Sequence, residues 1–182
     1  MATRSPSVRR AASGASALAV LGALAACGAE QRTETASQRM PAPVTRCHSQ
    51  QLRASVGRMD PGAGQRNFPV VLTNVSARTC TLYGYPGAAF VDVSGRQLGP
   101  DPKRTPGEPA KVRLAPGDSA WAGLRYASPE TSGARTAVPA ALLVTPPDES
   151  TPLRVRWTAG VVPVGGNASS VFLTVLAPGS GP

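Results

Sequence analysis

The chain has 182 residues, including 19 glycines and 19 prolines, and carries a formal net charge of +9. The many helix-breaking residues exclude a mainly helical protein. The arginines are scattered and accompany no helix-turn-helix, zinc-finger or RNA-binding motif, so we predict no nucleic-acid partner.

Residues 1–26 have the layout of a secretory signal peptide. Arg4, Arg9 and Arg10 precede an uncharged run over residues 11–26 that is rich in alanine and leucine. This run is shorter than the roughly 20 apolar residues that a transmembrane helix needs. The pattern therefore predicts export rather than permanent insertion in the membrane.

The end of this segment, Leu24-Ala25-Ala26-Cys27, resembles a lipobox, the processing site of bacterial lipoproteins. The resemblance implies that Cys27 becomes the mature N terminus and carries a diacylglyceryl thioether. The alternative is an ordinary signal peptide that happens to contain a cysteine. We expect the lipid-anchored form, attached to the extracellular face of the cell membrane.

Residues 27–45 follow as a predicted flexible tether, because they are polar, contain proline and show no apolar periodicity. A spacer of this length reaches roughly 20–25 Å. Without the three arginines of the signal, 16 basic and 10 acidic residues remain, a net charge of +6. The bias toward arginine, alanine, proline and glycine is typical of a GC-rich genome. We interpret the surplus charge first as solvated surface and second as attraction to anionic lipids or wall polymers.

Two cysteines remain for the folded part, Cys47 and Cys80. An even pair in an exported protein is more often a disulfide than two free thiols. Closing the loop between them stabilises the domain by roughly 3–4 kcal/mol in the chain-entropy model. His48 is the only histidine, so we predict neither a metal site nor a cofactor.

From residue 46 onward, short apolar segments alternate with turn residues, a pattern typical of an antiparallel β-sandwich or barrel. We predict this domain over residues 46–177, with a C-terminal tail at 178–182. The predicted strands, in chain order, are 52–56, 67–73, 80–83, 88–93, 96–98, 110–114, 121–126, 141–145, 153–157 and 170–176. Between them, residues 99–109, 128–140 and 146–150 are predicted loops. In the strand at 121–126, Trp121, Gly123 and Arg125 should share one face.

Several segments then resemble one known group. These are Arg46-Cys47, LTNVSARTCTLYGYPG at 72–87, LAPGDSAWAGL at 114–124 and VPVGGNASSVFLTVL at 162–176. They resemble actinobacterial lipoproteins of the domain-of-unknown-function family numbered four-two-three-two. The resemblance implies an immunoglobulin-like antiparallel β-sandwich, a bridge between Cys47 and Cys80, and an exported location. It implies no activity.

Catalytic chemistry is not predicted. His48 is the only imidazole and no nucleophile-elbow motif is present, so a serine hydrolase lacks its base. We interpret His48 as a surface residue and the acidic pair Asp148-Glu149 as part of a solvated loop. The sequon at Asn74 is interpreted as a turn cap.

One turn contains residues suited to recognition. Tyr83 and Tyr85 flank a glycine, and the predicted loop at 99–109 contains Lys103 and Arg104. Tyrosines can stack on a ligand or close the end of a sandwich, so both roles stay open. We predict that Tyr83, Tyr85, Lys103 and Arg104 contribute to recognition if they share one end of the sandwich.

The predicted function is therefore a non-catalytic, lipid-anchored envelope protein that binds a protein or a cell-wall component. The alternatives are a hydrolase of envelope polymers with an unrecognised site, and a small-ligand carrier, which needs a hollow apolar core.

Overall fold

The computed structural model describes residues 43–182. The predicted signal peptide, the lipidation site at Cys27 and the tether as far as residue 42 lie outside the described residues. Within the described residues, no helix has the length and apolar character needed to cross a membrane.

Glycines and prolines divide this part of the chain into fifteen short strands and two very short helices. The helices are a 3-10 turn at Ser49–Gln51 and α1 at Pro129–Ser132. The strands are β1 Thr45–Arg46, β2 Leu52–Val56, β3 Asp60–Gly62, β4 Gln65–Asn74, β5 Cys80–Tyr83, β6 Gly87–Val91, β7 Lys103–Arg104, β8 Lys111–Leu114, β9 Ser119–Ala127, β10 Arg135–Ala137, β11 Ala141–Thr145, β12 Leu153–Arg156, β13 Val162–Gly165, β14 Val171–Leu173 and β15 Ala177–Pro178.

One layer is a main sheet built on the two longest strands, β4 and β9. They pair antiparallel from Gln65 opposite Ala127 to Thr73 opposite Ser119. The strand order is β2-β4-β9-β14-β7, with β3 added to β4 and β15 added to β9. The pair formed by β14 and β7 is parallel, whereas the other pairs in this sheet are antiparallel.

Smaller sheets oppose the main sheet: β1-β5-β8, β6-β11-β12 and the pair β10-β13. Buried residues from both layers form one continuous apolar cluster. At its centre, the Trp157 ring packs edge-on against Phe68 and Phe90, with ring centroids 5.1 and 4.9 Å apart. The predicted antiparallel β-sandwich is thereby confirmed.

The alternation in β9 shows how the sequence sets the two faces of the main sheet. Ala120, Ala122, Leu124 and Tyr126 are fully buried, while Trp121 and Gly123 are partly exposed and Arg125 is exposed. This is the expected period of two for a strand with one face in the core. The predicted division of these residues between two faces is confirmed.

Most differences from the predicted elements concern short or irregular segments. The strand predicted at 170–176 is interrupted, because the hydroxyl of Thr174 accepts the Gly123 N–H that a strand carbonyl would otherwise take. The hairpin predicted between 88–93 and 96–98 is present, but its second arm is reduced to a single antiparallel bridge between Gln97 and Val91. The Asp92 carboxylate closes the turn by accepting the backbone N–H groups of Ser94 and Arg96. The predicted loop at 99–109 contains β7, and the one at 128–140 contains α1 and β10.

The predicted disulfide between Cys47 and Cys80 is confirmed, with the two Cα atoms 4.9 Å apart. It lies beside a parallel pair, because β1 runs alongside β5 with Thr45 opposite Cys80. Both sulfurs are buried in the main core cluster. The bridge therefore fastens the beginning of the domain to the layer opposite the main sheet.

Candidate functional site

The structure brings together part of the predicted recognition set. The Tyr85 hydroxyl donates to the carbonyl of Thr105 at 2.7 Å, and the Arg104 guanidinium lies over the Tyr85 ring, 5.3 Å from its centroid. Lys103 precedes Arg104 in β7, and both residues are exposed. We call Tyr85, Lys103 and Arg104 the basic edge.

Tyr83 lies apart from the contact between Arg104 and Tyr85. It is 55% exposed at the end of β5, opposite Lys111 of β8. Tyr85 has a structural contribution as well, since its hydroxyl bond holds the segment after β7. Its partly exposed ring also supports a cation, so the two roles weighed for the tyrosines coexist at this position.

A depression of about 430 Å³ adjoins the basic edge. Arg104 and Asp101 line one part of it, and Pro86 and Thr145 line another. Its neighbourhood therefore contains charges of both signs, with Arg104 fixed by the tyrosine ring.

A second polar cluster was not predicted from the sequence. Glu149, interpreted there as a solvated residue, has a side chain only 12% exposed. Its Oε2 accepts the Ser49 backbone N–H at 3.0 Å, and its Oε1 lies 2.9 Å from His48 Nδ1. Arg46 lies 3.4 Å from the same carboxylate. The Ser49 N–H and then the His48 ring hold the pKa of Glu149 below its ordinary value.

The hydrogen bonds of this cluster form a clamp that joins the segment at Ser49 to the segment at Glu149 and Thr151. The Ser49 hydroxyl donates to the Thr151 carbonyl at 2.7 Å and has Glu149 as a second partner at 3.2 Å. The His48 ring contacts the carboxylate and not the serine, so the nucleophile–base pair of a hydrolase is not formed by these residues. His48 itself is half exposed, as expected for a surface histidine.

The outer face of the main sheet carries a third feature, which we call the outer groove. Its volume is about 460 Å³, and a neighbouring lobe of about 370 Å³ shares several of its residues. Residues lining both lobes are Asp60, Asn67, Trp121, Gly123 and Pro182. The alternation of β9 predicted that Trp121, Gly123 and Arg125 share a face, but not which residues of other strands lie beside them.

Within residues 43–182, no group of three or more histidine, cysteine, aspartate or glutamate side chains is placed to hold a metal ion.

Comparison with known proteins gives one family. The model described as "Domain of unknown function (DUF4232)" matches residues 47–174, which spans most of the sandwich. No curated protein matches the chain.

Proposed function

Because this chain belongs to the domain-of-unknown-function family DUF4232, a membership that carries no activity, we propose its function from its own residues. The protein is an exported, lipid-anchored, non-catalytic β-sandwich that binds an anionic polymer of the cell envelope. Cys27 attaches it to the outer face of the membrane, and the basic edge contributes to recognition.

The contact between Arg104 and Tyr85 is the observation that carries this proposal. A guanidinium held over an aromatic ring loses less conformational freedom on binding than a free arginine does. The bond from the Tyr85 hydroxyl to Thr105 limits the motion of the segment beside it. A planar, fixed guanidinium suits carboxylate or phosphate oxygens, which it can bind with two parallel hydrogen bonds.

Lys103 adds a second exposed cation next to Arg104 in the sequence, on the opposite face of the strand. Its flexible ammonium contributes long-range attraction rather than geometry. The net charge of +6 after residue 26 acts in the same direction, since it draws an anionic polymer toward the whole domain. Tyr83 is exposed but does not share the contact between Arg104 and Tyr85, so the proposal does not depend on it.

The non-catalytic part of the proposal is supported by the use of the candidate groups. Ser49, His48 and Glu149 are engaged in joining two parts of the fold, and the serine is not bonded to the histidine. A hydrolase of envelope polymers therefore has no support from this cluster. A small-ligand carrier is not favoured either, because the buried side chains of the sandwich form a continuous cluster.

Sedimentation with isolated cell walls tests the proposal. The full-length protein, purified in detergent, should pellet with protein-stripped walls, and the bound fraction should fall as salt rises. The double variant Lys103→Gln, Arg104→Gln should lower this fraction severalfold. The control Arg154→Gln, Arg156→Gln removes the same charge from β12, where both residues are exposed, and should bind like the wild type.

If both double variants lose the same fraction of wall binding, the effect comes from net charge alone. That result would contradict a specific contribution of the basic edge. If the protein binds only to walls that retain their proteins, its partner is a wall protein and not the polymer. Tyr85→Leu separates the contribution of charge from that of the fixed guanidinium position, because it keeps both cations and removes the ring beneath Arg104. It should weaken binding if the fixed guanidinium matters.

A further inference from the structure

Arg104, which carries the basic-edge proposal, is opposite the buried Leu173 and faces the core side of the main sheet, whereas Lys103 is opposite Phe172 and shares the solvent face. The outer groove lies on this solvent face. Its floor is Gly123, in the middle of β9, opposite Pro69 of β4. A Cβ atom at Gly123 would lie 3.4 Å from Thr174 Cγ2 and 3.7 Å from Trp121 Cζ3. The missing side chain therefore leaves a depression that even a small residue would begin to fill. A glycine inside a strand often marks a place where a ligand approaches the backbone.

The neighbouring strand is irregular at the same level. Gly123 exchanges bonds with Thr174, donating to its hydroxyl at 2.8 Å and accepting its backbone N–H at 3.0 Å. The ladder between β9 and β14 ends at Leu173 and pairing resumes with β15 at Ala177. Interruptions of this kind are frequent beside binding sites, because they redirect the strand and its side chains.

Aromatic rings stand on both sides of this floor. Trp121 is two residues before Gly123 in β9 and lies at one side of the groove. On the other side, the Arg125 guanidinium lies 5.6 Å from the centroid of Phe172 in β14. Residues directly opposite on paired strands share a face of the sheet, and Phe172 is opposite Arg125.

Polar groups complete the same row. Asn67 of β4 is opposite Arg125, and Asp60 of β3 is opposite Asn67. The Asn67 amide donates to the Asp60 carbonyl at 3.0 Å, which orients the asparagine at the rim. Arg58 lines the same groove and is exposed. The groove thus combines the side chains of a tryptophan, an aspartate, an asparagine and two arginines.

We propose that the outer groove binds a saccharide chain that carries carboxylate groups, with Trp121 stacking on a sugar ring and Arg125 binding a carboxylate. A pyranose ring has an apolar C–H face and a polar edge, which match an indole surface flanked by hydrogen-bonding side chains. The guanidinium groups of Arg58 and Arg125 can each bind a carboxylate with two parallel hydrogen bonds, which favours an acidic sugar over a neutral one. The volumes of the two lobes lie in the range of about 300–1,000 Å³ that is usual for ligand sites.

This inference does not rest on the basic edge, and its test uses soluble sugars instead of cell walls. The full-length protein in detergent is titrated with a short oligogalacturonate and, separately, with a cello-oligosaccharide of equal length. Intrinsic fluorescence reports the site, because the only tryptophans are Trp121 and the buried Trp157. We expect saturable binding of the acidic sugar, with weaker binding of the neutral one.

The variants Trp121→Ala and Gly123→Val test the assigned roles. Each should weaken acidic-sugar affinity, measured by calorimetry, about tenfold or more, the usual effect of removing a central contact. Gly123→Val keeps the tryptophan and fills the depression, so it tests the groove even if Trp121→Ala fails to fold. Arg125→Gln should remove the preference for the acidic sugar. Tyr83→Ala, an exposed aromatic on another strand, should bind like the wild type, as should Arg104→Gln, because Arg104 lies on the opposite face of the sheet.

Failure of both sugars to bind overturns the proposal, as does binding that is unchanged in Gly123→Val and Trp121→Ala. Equal affinity for the two sugars overturns the carboxylate part. Loss of sugar binding in Arg104→Gln, with normal binding in Gly123→Val, moves the saccharide to the basic edge and rejects the outer groove.

Discussion

The hydroxyl of Tyr126 is buried without a hydrogen-bond partner among residues 43–182. Its ring stacks on Phe68 with centroids 5.8 Å apart and meets Phe90 edge-on. Burial raises the pKa of this tyrosine from 10.0 to about 12. Arg66 acts in the opposite direction, through its charge and through its proximity to the hydroxyl, which falls short of hydrogen-bonding geometry. The ring therefore stabilises the core, while the hydroxyl loses its hydrogen bonds to water on folding and gains none from the protein.

Tyr126→Phe removes only the unpaired hydroxyl. We expect an unchanged free energy of unfolding at neutral pH, or an increase of about 1 kcal/mol. Because the folded pKa is raised, the wild type loses stability as pH rises from about 10 to about 12. The variant should lack this portion of the alkaline loss in urea unfolding measured over that range. A clear loss of stability at neutral pH would contradict the unpaired hydroxyl.

Glu149 affects the stability of the fold in acid, whereas Tyr126 affects it in alkali. Its pKa is lowered from 4.5, so its stabilising effect is present above that value and is lost as pH falls through the folded pKa. Glu149→Gln should lower stability at neutral pH and reduce the further decline on acidification, as measured by thermal unfolding at several pH values.

Asp148→Asn is the matched control for Glu149→Gln. Asp148 contacts Arg46 through its backbone carbonyl, which the substitution preserves. Its φ of 59° is a left-handed value that asparagine tolerates. The control should therefore show nearly wild-type acid sensitivity. If the two variants behave alike, the clamp around Glu149 does not contribute to stability.

At the scale of elements, the disulfide joins the segment after β1 to the first residue of β5. Replacing Cys47 and Cys80 together by serine should lower the free energy of unfolding by roughly 3–4 kcal/mol, through the greater entropy of the open unfolded chain. Urea unfolding of the wild type and the double variant measures the change. Labelling of either thiol in the native wild type without denaturant would contradict a formed bridge.

The strands that were predicted well are those whose own sequence specifies them. In β9 the alternation of small or apolar residues with Trp121, Gly123 and Arg125 indicates both the strand and its faces. β11 has the predicted bounds, Ala141–Thr145, because an apolar run ends at a proline pair there. At such positions, the two-residue periodicity and the flanking turn residues are sufficient to predict a strand.

The missed strands depend on their partners instead. β7 has two residues, Lys103 and Arg104, and exists because β14 offers a free edge beside them. β10 and β13 pair with each other across an intervening segment that contains β11 and β12. Such short strands carry no periodicity, so sequence patterns do not predict them as strands.

The candidate sites show the same limit. The sequence indicates one face of β9, but the outer groove also needs β3, β4 and β14 in their observed order. Glu149 and Ser49 are 100 residues apart, and nothing in either local sequence indicates their contact. Asn74 is the contrasting case. Its predicted turn-capping role is confirmed, because its Oδ1 accepts the Ser76 N–H only two residues away.

At the scale of the whole molecule, the anchor at Cys27 remains a prediction from the sequence. Membrane-extracted protein should have an intact mass that exceeds that of residues 27–182 by a diacylglyceryl group, usually with an additional acyl chain. Cys27→Ala should leave the precursor unprocessed or release the protein from the membrane. Normal processing and equal membrane retention in this variant would contradict lipidation at Cys27.

The arrangement of β1 beside the disulfide also determines how the sandwich bears a pulling force. The chain enters the described domain at residue 43, and a load applied there first shears the short parallel ladder between Thr45–Arg46 and β5. Once that ladder yields, the tension reaches Cys47 and passes through the covalent bridge into Cys80. It then acts on β5 and its antiparallel partner β8. Stretching therefore cannot lengthen the segment between the two cysteines, so β2, β3 and β4 are shielded from mechanical unzipping until β5 is pulled from its sheet.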